Sequence, residues 1–203
     1  MIDVAALYID PRGPYPLIAD VDCWDATRDA RLYNGPYPVV AHPPCGPWGK
    51  LSFCSSEGPE IKALGPRAVE QVRQWGGVLE HPVGSRLWDF CGIPKTGELP
   101  DAFGGVTIEV EQVRWGHVAR KPTLLYLVRV RSVGAFPPPR NPTHWCSGFR
   151  SSSGKYPATY KRTGCAVPSG IKVCSAQQRK RTPPMFAEWL ISLARQVPWE
   201  RTG

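Results

Sequence analysis

The chain has 203 residues, 42% hydrophobic and 21% charged, with 25 Lys and Arg against 17 Asp and Glu for a net charge of +8. That length suits one domain around one sizeable core and leaves no room for a second full domain. The 23 prolines and 20 glycines argue against a helical bundle and predict short elements joined by many loops. No apolar run approaches the ~18 residues needed to span a bilayer, and Met1-Ile2-Asp3 lacks the basic and apolar regions of a signal peptide. Seven cysteines in no disulfide-framework spacing predict a reduced, cytoplasmic protein with free thiols.

Val4 to Ile9 is apolar and β-prone and reads as a first strand, turned by Asp10-Pro11-Arg12-Gly13-Pro14-Tyr15. Acidic residues cluster next at Asp20, Asp22 and Asp25. Pro38 to Ala41 is a short buried strand, and His42 to Gly49 is a proline- and glycine-filled loop at its carboxyl end. Pro66 to Trp75 reads as a helix with Val69, Val72 and Trp75 on one face, ended by Gly76-Gly77. Val78-Leu79 begins another buried strand, which ends at Glu80-His81-Pro82. Val106 to Val113 alternates as a half-buried strand does, with Gln112 and Arg114 on it, and Leu124 to Val130 is a further strand. Gly148 to Gly170 is rich in Ser, Gly, Lys and Arg. Met185 to Val197 is a closing helix with Phe186, Trp189, Leu190, Leu193 and Val197 in one stripe, Thr182 as N-cap and Pro183 at its first position.

This grammar predicts an α/β fold in a single domain, 1–203, with a Rossmann-like sheet. Within it, 4–135 forms the core, 136–182 a basic loop-rich segment and 183–198 the closing helix. Active sites of such sheets lie at the carboxyl ends of the strands. Nine Lys or Arg and no Asp or Glu fall between Arg140 and Arg181. The segment is either a solvated basic loop or a surface that lies on phosphates, with Lys155, Lys161 and Arg162 as backbone contacts.

Two residues at strand ends carry chemistry. Cys45 follows Pro43-Pro44, so its thiol sits in a rigid loop among turn residues rather than core ones. Glu80 ends an apolar strand, where it is either a surface acid or a proton donor at the sheet's active edge. A thiolate attacks carbon 6 of a pyrimidine only if charge building on the ring is neutralised. An acid at ring nitrogen 3 does this, and carbon 5 then becomes nucleophilic toward a one-carbon donor.

Ala41-His42-Pro43-Pro44-Cys45-Gly46-Pro47-Trp48-Gly49-Lys50-Leu51-Ser52, then a helix, then Val78-Leu79-Glu80-His81-Pro82, then Trp115-Gly116 ahead of Arg120-Lys121-Pro122-Thr123 and a strand, form an ordered set. In this order and spacing, over about Val39 to Val130, the chain resembles the DNA cytosine methyltransferases that modify carbon 5. The resemblance implies a reduced methyltransferase sheet, DNA as partner, Cys45 as nucleophile, Glu80 as the acid at nitrogen 3, Arg120 on the exocyclic oxygen of a flipped cytosine, and S-adenosylmethionine as donor. The family's Gly-rich cofactor loop is replaced by Asp10-Pro11-Arg12-Gly13, Gly46 stands where Gln is common, His81 where Asn is, and the first helix is expected to be missing or very short. Another one-carbon donor is therefore open. Thymidylate synthases also use a Pro-Cys nucleophile, but the His that follows it and their phosphate arginines are absent.

Other residues have two readings each. Pro44, His42 and His81 adjoin the key pair and would line the substrate, the histidines tuning the thiol or shuttling a proton if the loops meet. Trp48 packs under the loop or stacks on a flipped base. Gln112 and Arg114 face solvent or contact substrate. Cys146, Cys165 and Cys174 with His144 have no standard zinc spacing and read as isolated groups, so no metal is expected. Cys23, Cys54 and Cys91 read as structural. The expectation is an enzyme modifying carbon 5 of a pyrimidine in DNA, the alternative a lapsed DNA-binding module with the same face, and a third a protein-binding surface built on the tryptophans.

Overall fold

The computed structural model describes residues 1–49, 52, 55–145 and 172–199. Cys54, Cys146, Lys155, Lys161, Arg162 and Cys165 lie outside these described residues, and with them the proposed phosphate contacts and most of the zinc set.

The sheet has six strands: β1 (Val4–Leu7), β2 (Val21–Trp24), β3 (Val39–Ala41), β4 (Gly77–Pro82), β5 (Gly105–Glu111) and β6 (Pro122–Val128). Their spatial order is β2-β1-β3-β4-β6-β5. The first four run parallel, while β6 is antiparallel to both β4 and β5. The fold is thus α/β with a mostly parallel six-stranded sheet, as the alternation of strands and helices predicts.

Side-chain alternation divides the core in two. Val4, Ala6, Val40, Val78, Leu125 and Leu127 point to one face, where Phe186, Leu190 and Leu193 of the closing helix cover them. Ala5, Leu7, Val39, Ala41, Leu79 and Tyr126 point to the other, under Ala68, Val69 and Val72. The covering helices are α2 (Leu64–Trp75) and α5 (Pro184–Ala194); α1 (Pro59–Lys62), α3 (Leu87–Cys91) and α4 (Ala176–Lys180) are short. Burial of each large apolar side chain here contributes about 1.5–3 kcal/mol. Two further strands, β7 (His144–Trp145) and β8 (Lys172–Val173), pair in parallel in the basic segment. Among the described residues no helix is long and apolar enough to cross a membrane.

Several local expectations are corrected. The acidic cluster around Asp22 lies on an edge strand, β2, which is half-buried throughout, so its pattern carries no core signature. The strand read as Val106 to Val113 stops at Glu111, and Gln112–Trp115 winds into a 3-10 turn closed by Gly116 at φ 95°. Gln112 is buried there rather than solvent-facing. The closing helix is capped at Pro183 with Pro184 first, and Thr182 makes no cap. The first crossover holds only a three-residue 3-10 turn, Tyr15–Leu17, as the short-helix expectation has it.

Candidate active site

Because β2 lies on one side of β1 and β3 on the other, the strand order reverses between the carboxyl ends of β1 and β3. That switch point is where open α/β sheets leave a crevice. The loop after β1 brings Tyr15 to it, the loop after β3 brings His42 and Cys45, and the end of β4 brings Glu80. Ala41 and Leu79 are register partners, so His42 and Glu80, each one residue further, face each other across adjacent parallel strands.

They meet in a buried hydrogen-bonded chain. His42 Nδ1 lies 3.0 Å from Glu80 Oε2, and His42 Nε2 lies 2.5 Å from the Tyr15 hydroxyl. Gln112 Nε2 donates to Glu80 Oε1 and to Thr123 Oγ1, both at 3.0 Å. The Thr123 hydroxyl donates in turn to the Lys121 carbonyl. The His42 and Glu80 side chains are only 12% and 13% exposed. Burial alone would raise the Glu80 pKa, but the His42 hydrogen bond and the charges of His42 and Lys121 outweigh it and hold the carboxyl at about 2. Glu80 is therefore ionised.

Cys45 reaches solvent. Its carbonyl accepts from the Trp48 and Gly49 amides, a helical turn that follows directly on Pro43-Pro44. Partial desolvation pushes the Cys45 thiol up, Glu80's charge adds to this, and Lys121's charge offsets part of it. A Cβ on Gly46 would sit 1.9 Å from Glu57 Oε2, so a side chain following Cys45 would displace that carboxylate.

Trp48 packs under the loop: it is buried, and its indole N–H donates to the Lys62 carbonyl at 3.0 Å. The base-stacking alternative for Trp48 is not what the geometry brings about. His81 is fully buried against Trp88, facing the Pro44 carbonyl, and neither ring nitrogen makes a hydrogen bond of ordinary geometry among the described residues. Arg114 is half-buried and donates to the Pro137 carbonyl at 2.9 Å, away from Glu80. Arg120 stays outside the chain of contacts: its side chain is 64% exposed and salt-bridged to Glu111.

Two residues at the site carried no sequence signal strong enough to single them out. Tyr15 sits in a turn segment where tyrosine is unremarkable. Lys121, beside the expected Arg120, is the cation whose charge reaches both Cys45 and Glu80, and it is half-buried with φ 44°. Among the described residues no cluster of His, Cys, Asp and Glu could hold a metal ion. Protein-family models give no match to the chain, and neither do curated proteins.

Proposed function

We propose that this protein modifies carbon 5 of a pyrimidine in DNA, most directly cytosine, with Cys45 forming a covalent adduct at carbon 6. The observation that carries this reading is the convergence of an exposed thiol and a buried carboxylate from the carboxyl ends of adjacent parallel strands, β3 and β4. The thiol is presented to solvent, where a base swung out of its stack can reach it. Glu80 supports the base from behind, oriented by His42 and Gln112. Lys121 supplies positive charge where the thiolate forms.

The residues after β1 do not fit the S-adenosylmethionine cradle that the resemblance implies. Asp10 to Gly13 closes on itself as a tight turn, with Gly13 N donating to the Asp10 carbonyl at 2.8 Å and Arg12 N to Asp10 Oδ1 at 3.0 Å. Tyr15, buried in the core, fills the crevice beside His42. The same filled crevice, with the raised Cys45 thiol, favours a second reading, a DNA-binding module without turnover.

Mass spectrometry of host DNA nucleosides, with the chain expressed and with Cys45→Ser in its place, tests the proposal. A pyrimidine substituted at carbon 5 with the native chain and absent with the variant is the expected result. Unchanged nucleosides alongside retained DNA binding would select the module instead.

A further inference from the structure

We propose that His42, clamped between Tyr15 and Glu80, holds the proton that Glu80 delivers to ring nitrogen 3, and that the Tyr15 hydroxyl is what lets His42 gain and lose it. This rests on the reading of Cys45 as the nucleophile.

Glu80 is a carboxylate in the resting site, and a carboxylate cannot donate. The proton for the ring must reach it from a bonded neighbour. Among the described residues two groups donate to Glu80, the Gln112 amide and His42 Nδ1. An amide N–H has no transferable proton near neutral pH; an imidazolium does. Because the carboxylate only accepts, the resting neutral ring carries its hydrogen on Nδ1, and the imidazolium carries a second one on Nε2. Opposite Nε2 stands the Tyr15 hydroxyl at 2.5 Å. A hydroxyl donates to a bare ring nitrogen and accepts from a protonated one, so the imidazole and the imidazolium are both satisfied in a buried place. A backbone carbonyl there would suit only the protonated ring. The other groups around His42 are His81 on β4, Cys45 on the same loop and Lys121 before β6. Glu80 faces the ring as a carboxylate, and the fully buried His81 and the Cys45 thiol rest neutral.

The step balances without a one-carbon donor. Cys45 loses its proton to water, and its thiolate forms the sulfur–carbon 6 bond. The carbon 5–carbon 6 pair shifts to carbon 4–carbon 5, and the carbon 4–nitrogen 3 pair moves onto nitrogen 3. The His42 Nδ1–H bond breaks as Glu80 Oε2–H forms, and that O–H breaks as nitrogen 3–H forms. Glu80 ends as a carboxylate and His42 as a neutral ring that keeps Nε2–H toward the Tyr15 oxygen, Nδ1 staying bare until nitrogen 3 returns its proton. In heavy water carbon 5 then takes a deuteron and gives up its original hydrogen as a proton. Nitrogen 3 returns its proton along the same path, and elimination of the sulfur leaves 5-deuteriocytosine.

Heat-denatured genomic DNA of mixed sequence, incubated with the protein in heavy water and read by nucleoside mass spectrometry, is the assay. The wild-type exchange rate is expected to rise with pH as Cys45 ionises and to fall again as the imidazolium is lost. His42→Asn keeps a donor toward Glu80 but no transferable proton; it should be about 100-fold slower and lose the falling limb. Tyr15→Phe is the second variant, expected to slow exchange while Glu80 keeps its partner. Nitrogen-15 NMR of the His42 ring gives a readout independent of turnover: Glu80→Gln should move the Nδ1 resonance, because its partner changes from a carboxylate to an amide. Exchange lost in Cys45→Ser but unchanged in His42→Asn and Tyr15→Phe would overturn the inference alone, as would an Nδ1 resonance that Glu80→Gln does not move. No exchange from the wild-type protein would overturn the cysteine chemistry and this step together.

Discussion

His81 follows Glu80 directly, and its burial lowers its pKa to about 4. The unfolded chain takes up a proton near pH 6.5 that the folded chain refuses until about 4, so the stability that His81 withholds from the protonated form is full above pH 6.5 and is lost as pH falls from 6.5 to 4. A gap of that size corresponds to a loss of about 3 kcal/mol. Glu80 acts in a lower window: its depressed pKa stabilises the fold above the ordinary carboxylate range, and that contribution disappears as pH falls through about 2. Urea unfolding of His81→Leu should therefore lose most of its pH dependence between 6.5 and 4, the buried His117, whose pKa is also lowered, keeping the rest, and the drop below 4 should remain. A slope as steep in the variant as in the native chain would assign it to another group. At Cys45 the raised thiol should show as alkylation by iodoacetamide that climbs about tenfold per pH unit through neutrality. Glu80→Gln removes a negative charge beside the sulfur and should speed alkylation several-fold at pH 7.5, followed on the Cys45 peptide; an unchanged rate would mean the two groups do not feel each other.

At the scale of elements, the register of β3 against β4 is what brings His42 opposite Glu80, and it depends on Gly77. At φ 116°, with a Cβ that would stand 1.9 Å from the Val39 carbonyl oxygen, only glycine lets β4 start so close to β3. Gly77→Ala should cost about 3 kcal/mol or more, or prevent folding. Gly97, at φ 87° with nothing within 4 Å, provides the comparison, where alanine should cost only about 1 kcal/mol. Equal losses in urea melts of the two variants would show that backbone conformation alone, not the close approach, sets the cost. The same elements show what was legible beforehand. Runs such as Val39 to Ala41 and Val78-Leu79 are apolar and bounded by Pro and Gly, so the parallel strands buried on both faces declare themselves. Edge strand β2 does not, because it is four residues long and only half-buried: Val21 and Cys23 pack against the core, while Asp22 binds Arg28 and the Trp24 indole.

For the whole molecule, two measurements separate the parts of the proposed function. Calorimetry with S-adenosylmethionine should show weak or no binding, since the first crossover carries neither a Gly-rich turn nor a helix whose N-terminus could meet a ligand. Tight stoichiometric binding would refute this and make plain methylation the leading chemistry. DNA affinity should depend steeply on salt, because nine cations and no acid lie between Arg140 and Arg181. If four to six of them touch phosphates, log affinity against log salt should have a slope of roughly −4 to −5 on duplex DNA. Neutralising Lys155, Lys161 and Arg162 together should flatten it by about 2 to 3 units. A slope that the triple variant leaves unchanged would move the DNA surface elsewhere, toward Lys121.

Sequence alone determined the buried strands β1, β3 and β4, the two covering helices and the proline-bounded loop that carries Cys45, because periodicity, proline and glycine act over a few neighbouring residues. It also singled out Glu80, since a carboxylate ending an apolar strand is costly wherever that strand packs. Tertiary structure alone decided which groups those two would meet. Tyr15 and His42 are 27 residues apart, His42 and Glu80 38, and Glu80 and Gln112 32. No local pattern links such distant positions; strand order and register do. The difference between Arg120 and Lys121 has the same origin. Adjacent cations are indistinguishable in a sequence, but a positive φ at Lys121 and a salt bridge from Arg120 to Glu111 send one toward the site and hold the other at the surface.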